Sequence, residues 1–343
     1  MTSEYVATNA ASSGISVDRK KLKSLGRRSD RPGLVWLAKW AVLMTAGVLA
    51  VHFTWGTPWA VLSMGFYAFV LTVPAYALSH ETAHGTAFRT RWLNELMLWV
   101  SSFLYFGEPY HRRYAHTSHH TKTWHVGDDA QMPFDTPMTF GGWLSEQSGL
   151  LLFWYEGKII VAHAFGIVGS EARRYTPEGE IRRLILGARL FLVGYVLVGA
   201  AIAAGQTWLL IYFVIPRVLG GPAMQFFTTI QHAELQENDP SIVKSTRSFA
   251  PSALNRFLYM NMNNHIEHHL YPQIPFYSLP DLHDVVKDQL PAPDPGLIRT
   301  NLELLGVVIR RSLGRNTKAP TIRQAPHMIT SGGFEPIARA SMR

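Results

Sequence analysis

Residues 59–84 read WAVLSMGFYAFVLTVPAYALSHETAH, an apolar run from Trp59 to Leu78 that leads directly into His80 and His84. About 20 apolar residues is the length of a membrane-crossing helix. The two histidines that follow are spaced i, i+4 and share one helical face, so both imidazoles can aim at one point. This segment therefore predicts an α-helical membrane protein with metal-binding chemistry at the membrane boundary.

Two further clusters extend the reading: His116-Thr117-Ser118-His119-His120 and His265-Ile266-Glu267-His268-His269. Eight imidazoles packed without a metal would leave polar nitrogens in need of partners. His232, in Gln231-His232-Ala233-Glu234, is a ninth candidate at the end of a later apolar run. His52, His163, His283 and His327 stand alone and are read as ordinary packed or surface histidines.

Composition agrees with membrane spans. Of 343 residues, 47% are hydrophobic, and there is no cysteine, which excludes disulfides, thiolate ligands, an iron–sulfur cluster and a cysteine nucleophile. The formal charge of +8 is concentrated in Arg19–Arg31 and beyond Arg310. Basic flanks beside spans fit the cytoplasmic excess of Lys and Arg better than they fit nucleic acid. Residues 1–30 are polar, without the apolar centre of a secretory signal.

The expected architecture is an all-α integral membrane protein. Four transmembrane helices, at about 34–52, 59–78, 184–204 and 208–230, accompany interfacial helices and a cytosolic helical cap. Residues 1–32 are read as a disordered cytosolic tail, 33–311 as the membrane domain and 312–343 as a basic, mostly disordered tail. Trp92–Phe106 and Leu150–Val168 are apolar but interrupted by Asn94, Glu95, Glu156, Lys158 and His163, which favours interfacial or re-entrant helices. Pro216, Gly220, Gly221 and Pro222 predict a kink in the fourth span. The hairpin loops 54–58 and 205–207 carry no charge, which puts both termini and every histidine cluster in the cytoplasm.

His80-Glu81-Thr82-Ala83-His84 alone also matches the HExxH pattern of zinc hydrolases, with Glu81 as base. Such a site needs one further ligand rather than six or seven. Nine imidazoles divide into four or five for each of two metals. Imidazole suits iron, copper and zinc alike, so ligand type leaves the metal open. Asp128 and Asp129 are candidates to orient ligand imidazoles. His111 and His125 flank the second cluster, and Arg189 and Arg217 lie in or near spans, where Arg217 is placed to bind a substrate headgroup or pair with Glu234.

The chain resembles the membrane fatty-acid desaturase superfamily. The pattern HxxxH, HxxHH and HxxHH falls at 80–84, 116–120 and 265–269, in that superfamily's order. The likeness includes Tyr110-His111-Arg112-Arg113, Asn261–Pro272, Pro275-Phe276-Tyr277 and Leu279–His283, and covers roughly residues 33–290. The third cluster is most similar to a bacterial branch with acyl-lipid desaturases, the dihydrorhizobitoxine desaturase and the rhizopine hydrocarbon oxygenase. The resemblance implies two iron ions, O2 as co-substrate, four spans and cytoplasmic clusters. It also makes His232 the extra ligand beside His80, His84, His116, His119, His120, His265, His268 and His269. Thr228 departs from an Asn that holds a metal-bound water in some relatives.

The expected activity is desaturation of a fatty-acyl chain in a multi-pass cell membrane protein, of the bacterial inner membrane. Hydroxylation, demethylation or ketolation of a smaller hydrophobic, amino-acid-like or inositol-like metabolite is the alternative. No haem-binding His-Pro-Gly-Gly and no Gly-rich nucleotide fingerprint occurs. Electrons are therefore expected from a separate ferredoxin, Rieske-type or cytochrome b5-like donor with its reductase. A basic face formed by Arg112, Arg113, Lys122, Arg173 and Arg174 is the expected docking surface for an acidic carrier.

Overall fold

The computed structural model describes residues 9–134 and 136–315. The C-terminal tail beyond 315, including His327, lies outside the described residues, as do residues 1–8.

Among the described residues, four segments are long and apolar enough to cross a membrane: Asp30–Thr54, Ala60–Ala83, Glu178–Ala203 and Thr207–Gln231. The main helices preceding and forming the first half are α1 (Arg19–Leu25), α2 (Asp30–Thr54), α3 (Ala60–Ala83), α4 (Arg91–Tyr105) and α5 (Pro109–Thr121). They are followed by α6 (Phe140–Gln147), α7 (Leu150–Ala164), α8 (Ser170–Tyr175) and α9 (Ile181–Ala203). The fourth span widens into a π-type stretch at Leu210–Val214 and continues as α10 (Ile215–Thr228), so the expected interruption falls just ahead of Pro216. Short helices α11 (Ile242–Ser245), α12 (Ala253–Leu258), α13 (His265–Leu270) and α14 (Leu279–Val286) build a cap, closed by α15 (Leu297–Ser312).

α3 is the central span. In its apolar window 61% of the residues are buried, against 17–33% in the other three. It packs against α2, α4 and α10. Lipid-facing positions elsewhere stay apolar, as at Val42, Phe53, Val196 and Leu197. The α3–α10 crossing depends on a missing side chain. A Cβ on Gly220 would lie 2.1 Å from Thr72 Oγ1 and 2.5 Å from the Ala68 carbonyl oxygen. Small residues of this kind let spans approach closely where lipid gives no hydrophobic drive between helices.

α4 and α7 each have 15 residues, about 22 Å of helix, short of a hydrocarbon core of about 30 Å. α4 is two-sided, burying Asn94, Leu98, Ser101, Ser102 and Tyr105 while exposing Trp92, Leu96 and Val100. Neither is among the spanning segments.

The N-terminal reading needs correction. Residues 9–12 are helical and α1 is a capped helix, with the Asp18 carboxylate accepting from the Lys21 N–H. Ala10, Ile15 and Leu25 join a core with Ile242, Ile266, Leu270 and Leu282. These anchors are widely spaced among polar and basic residues, so no periodicity marks them. The fourth span's arginine also departs from one expectation. Arg217 sits over the Phe213 ring at 4.3 Å and donates to the Phe103 carbonyl, while Glu234 is taken by Arg311 at 2.5 Å. Arg189 likewise donates to the Ala164 carbonyl.

Replacing Gly220 with Ala forces Thr72 and the α3 backbone to shift, at an expected cost of about 1–3 kcal/mol. The detergent-purified variant should melt at lower temperature. Gly199→Ala, where an added Cβ meets nothing within 4 Å, should leave the melting temperature unchanged.

Candidate metal centre

The three clusters and His232 converge beneath the cap. α3 ends on His80 and His84, the latter as its capping residue. α5 is started by Glu108, whose carboxylate accepts from the Tyr110 and His111 N–H groups, with Pro109 in the first turn. It carries His116, His119 and His120 on a helix that packs on α3. α13 carries His265, His268 and His269. His232 follows the single turn that ends the fourth span.

All nine histidines expected from the sequence come together, and they fall into two groups. His80, His84, His116, His120 and His268 form one; His119, His232, His265 and His269 form the other. Within each group the ligand atoms lie within 4.8 Å of one another, enough for the group to hold one ion. The division follows helical spacing. On α5, His116 and His120 face the first group and His119 the second; on α13, His265 and His269 face the second and His268 the first.

The donor set fits metal ions. His120 Nε2 lies 3.0 Å from His116 Nε2 and 3.1 Å from His268 Nε2. His265 Nε2 lies 3.2 Å from His232 Nε2 and 3.1 Å from His269 Nε2. One ring nitrogen cannot satisfy two such neighbours through its single proton. Nitrogens bound to one ion at about 2.1 Å, at right angles, stand about 3 Å apart. Both ring nitrogens of His80 and His84 are buried without a partner. Burial, then neighbouring imidazoles, holds His84, His116, His120, His265 and His269 well below the usual histidine value of 6.5. Burial brings His232 and His268 down to about 3. These imidazoles are thus neutral at neutral pH, the form that binds metal.

Outer partners fix several rings. Asp129 receives His119 Nδ1 at 2.9 Å and is itself held by the Trp124 and Gln131 N–H groups at 2.8 Å. Burial alone would raise this carboxyl, but His119 and those N–H donors bring it below its ordinary value. Gln131 Oε1 meets His116 Nδ1 at 2.8 Å, the Ser245 carbonyl meets His232 Nδ1 at 2.8 Å, and Thr123 Oγ1 meets His269 Nδ1 at 3.1 Å. Asp128 instead lies 3.5 Å from Arg174, on the surface. His125 bonds the Thr123 carbonyl, and His111 bonds the Tyr175 hydroxyl. Neither belongs to the two groups.

The glutamates inside the clusters are structural. Glu81 accepts from the Phe276 N–H at 2.9 Å, tying the first cluster to the segment after the third. Glu267 accepts from Ser248 Oγ at 2.8 Å and pairs with His283, whose affinity for its proton that carboxylate raises. His283, read as an isolated histidine, thus supports the third cluster; its place in the Leu279–His283 motif was the available signal. Arg247 braces the His232 turn through the Ile230 and Ala233 carbonyls. Asn9 has no sequence signal. Its Nδ2 donates to the carbonyls of His120 and His269, at 3.0 and 3.2 Å.

A cavity of about 310 Å³ opens against this centre. His80, His116, His119, His232 and His265 line one side; Met132, Phe134, Leu152 and Met224 supply apolar walls. Thr228, Gln225 and Glu146 form a chain along it, with Thr228 Oγ1 donating to Gln225 at 2.8 Å and Gln225 Nε2 to Glu146 at 2.7 Å. Leu151, Trp154 and Tyr155 of α7 are exposed to the outside and also line it, so α7 is its rim.

Over residues 53–301 the chain matches the family model described as fatty acid desaturase. The chain belongs to the fatty acid desaturase family. The matched region contains all four carriers of the nine histidines, and with the four apolar segments it makes this a multi-pass membrane protein. The dihydrorhizobitoxine desaturase of Bradyrhizobium elkanii is 25% identical over 312 residues, covering 86% of this chain and 85% of that protein. The sphingolipid delta(4)-desaturase/C4-monooxygenase of Homo sapiens is 28% identical, covering 71% and 72%. The acyl-lipid (9-3)-desaturase of Physcomitrium patens is 23% identical over 59% of this chain, and the chain spans only 43% of its length. A delta(12) acyl-lipid conjugase of Momordica charantia is matched over 28% of its length.

The basic face expected for a carrier is smaller than the sequence suggests. Arg112 is buried in the cavity wall, and Arg113 pairs with Glu95 at 2.7 Å. Lys122, Arg173 and Arg174 remain at the surface.

Asp129→Ala should lower metal affinity about 10–100-fold, the usual effect of losing such an outer partner. His84→Ala, His119→Ala and His268→Ala should each reduce bound metal further while membrane insertion is retained. Metal analysis of the purified variants checks both, with His52→Ala as the unaffected control.

Proposed function

We propose that this protein is an oxygen-dependent membrane oxidoreductase whose nine histidines hold two iron ions, and that it removes hydrogen from an aliphatic chain to form an alkene. The observation that carries the reading is the five-plus-four division of nine imidazoles beside a cavity that reaches the membrane-side helix α7. The relatives' names support it, and the monooxygenase half of one of them makes hydroxylation the second outcome. When bound, a pair of irons supplies the activation of O2 needed to attack an unactivated C–H bond. Desaturation consumes O2, two electrons and two protons and releases two waters.

The protein's share of the work is positioning and exclusion. His80, His84, His116, His120 and His268 hold one ion, and His119, His232, His265 and His269 the other. Asp129, Gln131, Thr123 and the Ser245 carbonyl keep four of these rings in register. The apolar walls hold the substrate carbon against the centre and keep bulk water out, so that geometry selects the carbon attacked.

Glu81 weighs against a zinc hydrolase, since its carboxylate is buried and accepts from the Phe276 N–H. Electrons come from a separate carrier, because the chain has no cysteine for an iron–sulfur cluster. Both termini and the metal centre lie on the cytoplasmic side of the cell membrane, the side with the Lys and Arg excess.

Purified protein should contain two irons per chain and should consume no O2 with NADPH alone. A ferredoxin with its reductase should restore turnover, at a rate that falls as salt rises. One zinc per chain, or sustained turnover on NADPH alone, would overturn the reading. A reporter near Asp129 and one after Arg343 should read the same side of the membrane, and one within Thr54–Pro58 the other.

A further inference from the structure

We infer that Arg112 anchors a substrate carboxylate inside the cavity, and that the substrate is an amphiphile whose carboxylate lies within a few bonds of the carbon that reacts. The inference rests on the oxidoreductase reading above and narrows its substrate.

Arg112 is 6% exposed, lines the cavity, and has two guanidinium nitrogens, Nε and Nη2, without a hydrogen-bond partner. Its planar group lies 4.5 Å over the Tyr76 ring and 5.7 Å from the Tyr105 ring. Tyr76 also hydrogen-bonds the guanidinium, and together these contacts hold the cation in place while Nε and Nη2 stay open. A buried guanidinium with open N–H groups is costly unless an acceptor arrives. A carboxylate is the acceptor that matches its fork. Glu156 lines the same cavity and its charge attracts Arg112 without hydrogen-bonding it; its Oε2, buried without a hydrogen-bond partner, offers an acceptor to a hydroxyl or ammonium on the same molecule.

Position sets the distance between carboxylate and reacting carbon. Arg112 precedes His116 by one helical turn, and Tyr76 beneath it precedes His80 by one turn. The anchor layer therefore stands about 5 Å from the layer of ligands to the first ion. A lipid-bound acyl chain attacked at mid-chain would keep its polar end many bonds away. It would press methylenes against Arg112 and leave the N–H groups buried and unpaired. A volume of about 310 Å³ also sits at the small end of ligand sites, which run from about 300 to 1,000 Å³.

The test compares octanoate with methyl octanoate by calorimetry, using full-length, metal-loaded protein in phosphatidylcholine nanodiscs. Octanoate should bind about tenfold or more tightly than the ester, a difference expected for a charge-assisted pair. Arg112→Met should abolish that preference, and Arg112→Lys should keep part of it. Equal affinity of the two ligands for the unaltered protein, or an unchanged preference in Arg112→Met, would overturn the inference. So would displacement of octanoate by phosphatidic acid in the disc, which would assign Arg112 to a lipid headgroup. Should Arg112→Met fail to fold, the two ligands on the unaltered protein and on Arg112→Lys decide. Iron content is read in parallel. Two irons without carboxylate preference defeats this inference alone, whereas preference without iron defeats the metal reading alone.

Discussion

Nine imidazoles, closely packed in two groups, form the constraint around which the rest of the molecule is arranged. Such a cluster is unfavourable by itself, because ring nitrogens about 3 Å apart compete for too few protons. A cation bound at such a group would turn that liability into binding free energy, which is coupled to folding. The surrounding features bring the rings to one place. α3 is the most buried span, Gly220 lets it sit close to α10, and Glu108 fixes where α5 begins.

The two glutamates within the clusters show how similar local sequences take different duties. In a hydrolase the residue after the first histidine is turned toward the metal-bound water. Here Glu81 spends its carboxylate on a backbone N–H nearly two hundred residues away in sequence, and Glu267 does the same for Ser248 and His283. Both act as braces between a histidine-bearing helix and a segment packed beside it. Short helices such as α13, with six residues, have little stability of their own and need such braces.

The spans and the convergence of the histidine clusters were legible because their signals are dense: long apolar windows in the first case, histidines at i, i+3 and i+4 in the second. Asp129 was also found, since a carboxylate shortly after a histidine cluster is a usual partner. Other features leave no local pattern. Which of the two groups each histidine joins depends on how α5 and α13 face each other, a tertiary fact. Arg112 and Arg113 look alike in the sequence, yet one helical step puts the first into the cavity wall and the second beside Glu95. The N-terminal segment was read as structureless because three scattered apolar residues carry its packing amid basic neighbours.

The bonds from Asn9 to the carbonyls of His120 and His269 also order the protein's assembly in time. Asn9 is synthesised well before both partners, one of which comes 260 residues later. During translation the amino-terminal segment must therefore wait, undocked, while all four spans enter the bilayer. The last clasp over the centre can close only when the third cluster has left the ribosome. A ligand of the two histidine groups that arrives before that moment meets an open bowl, and one that arrives after it must pass a closed one.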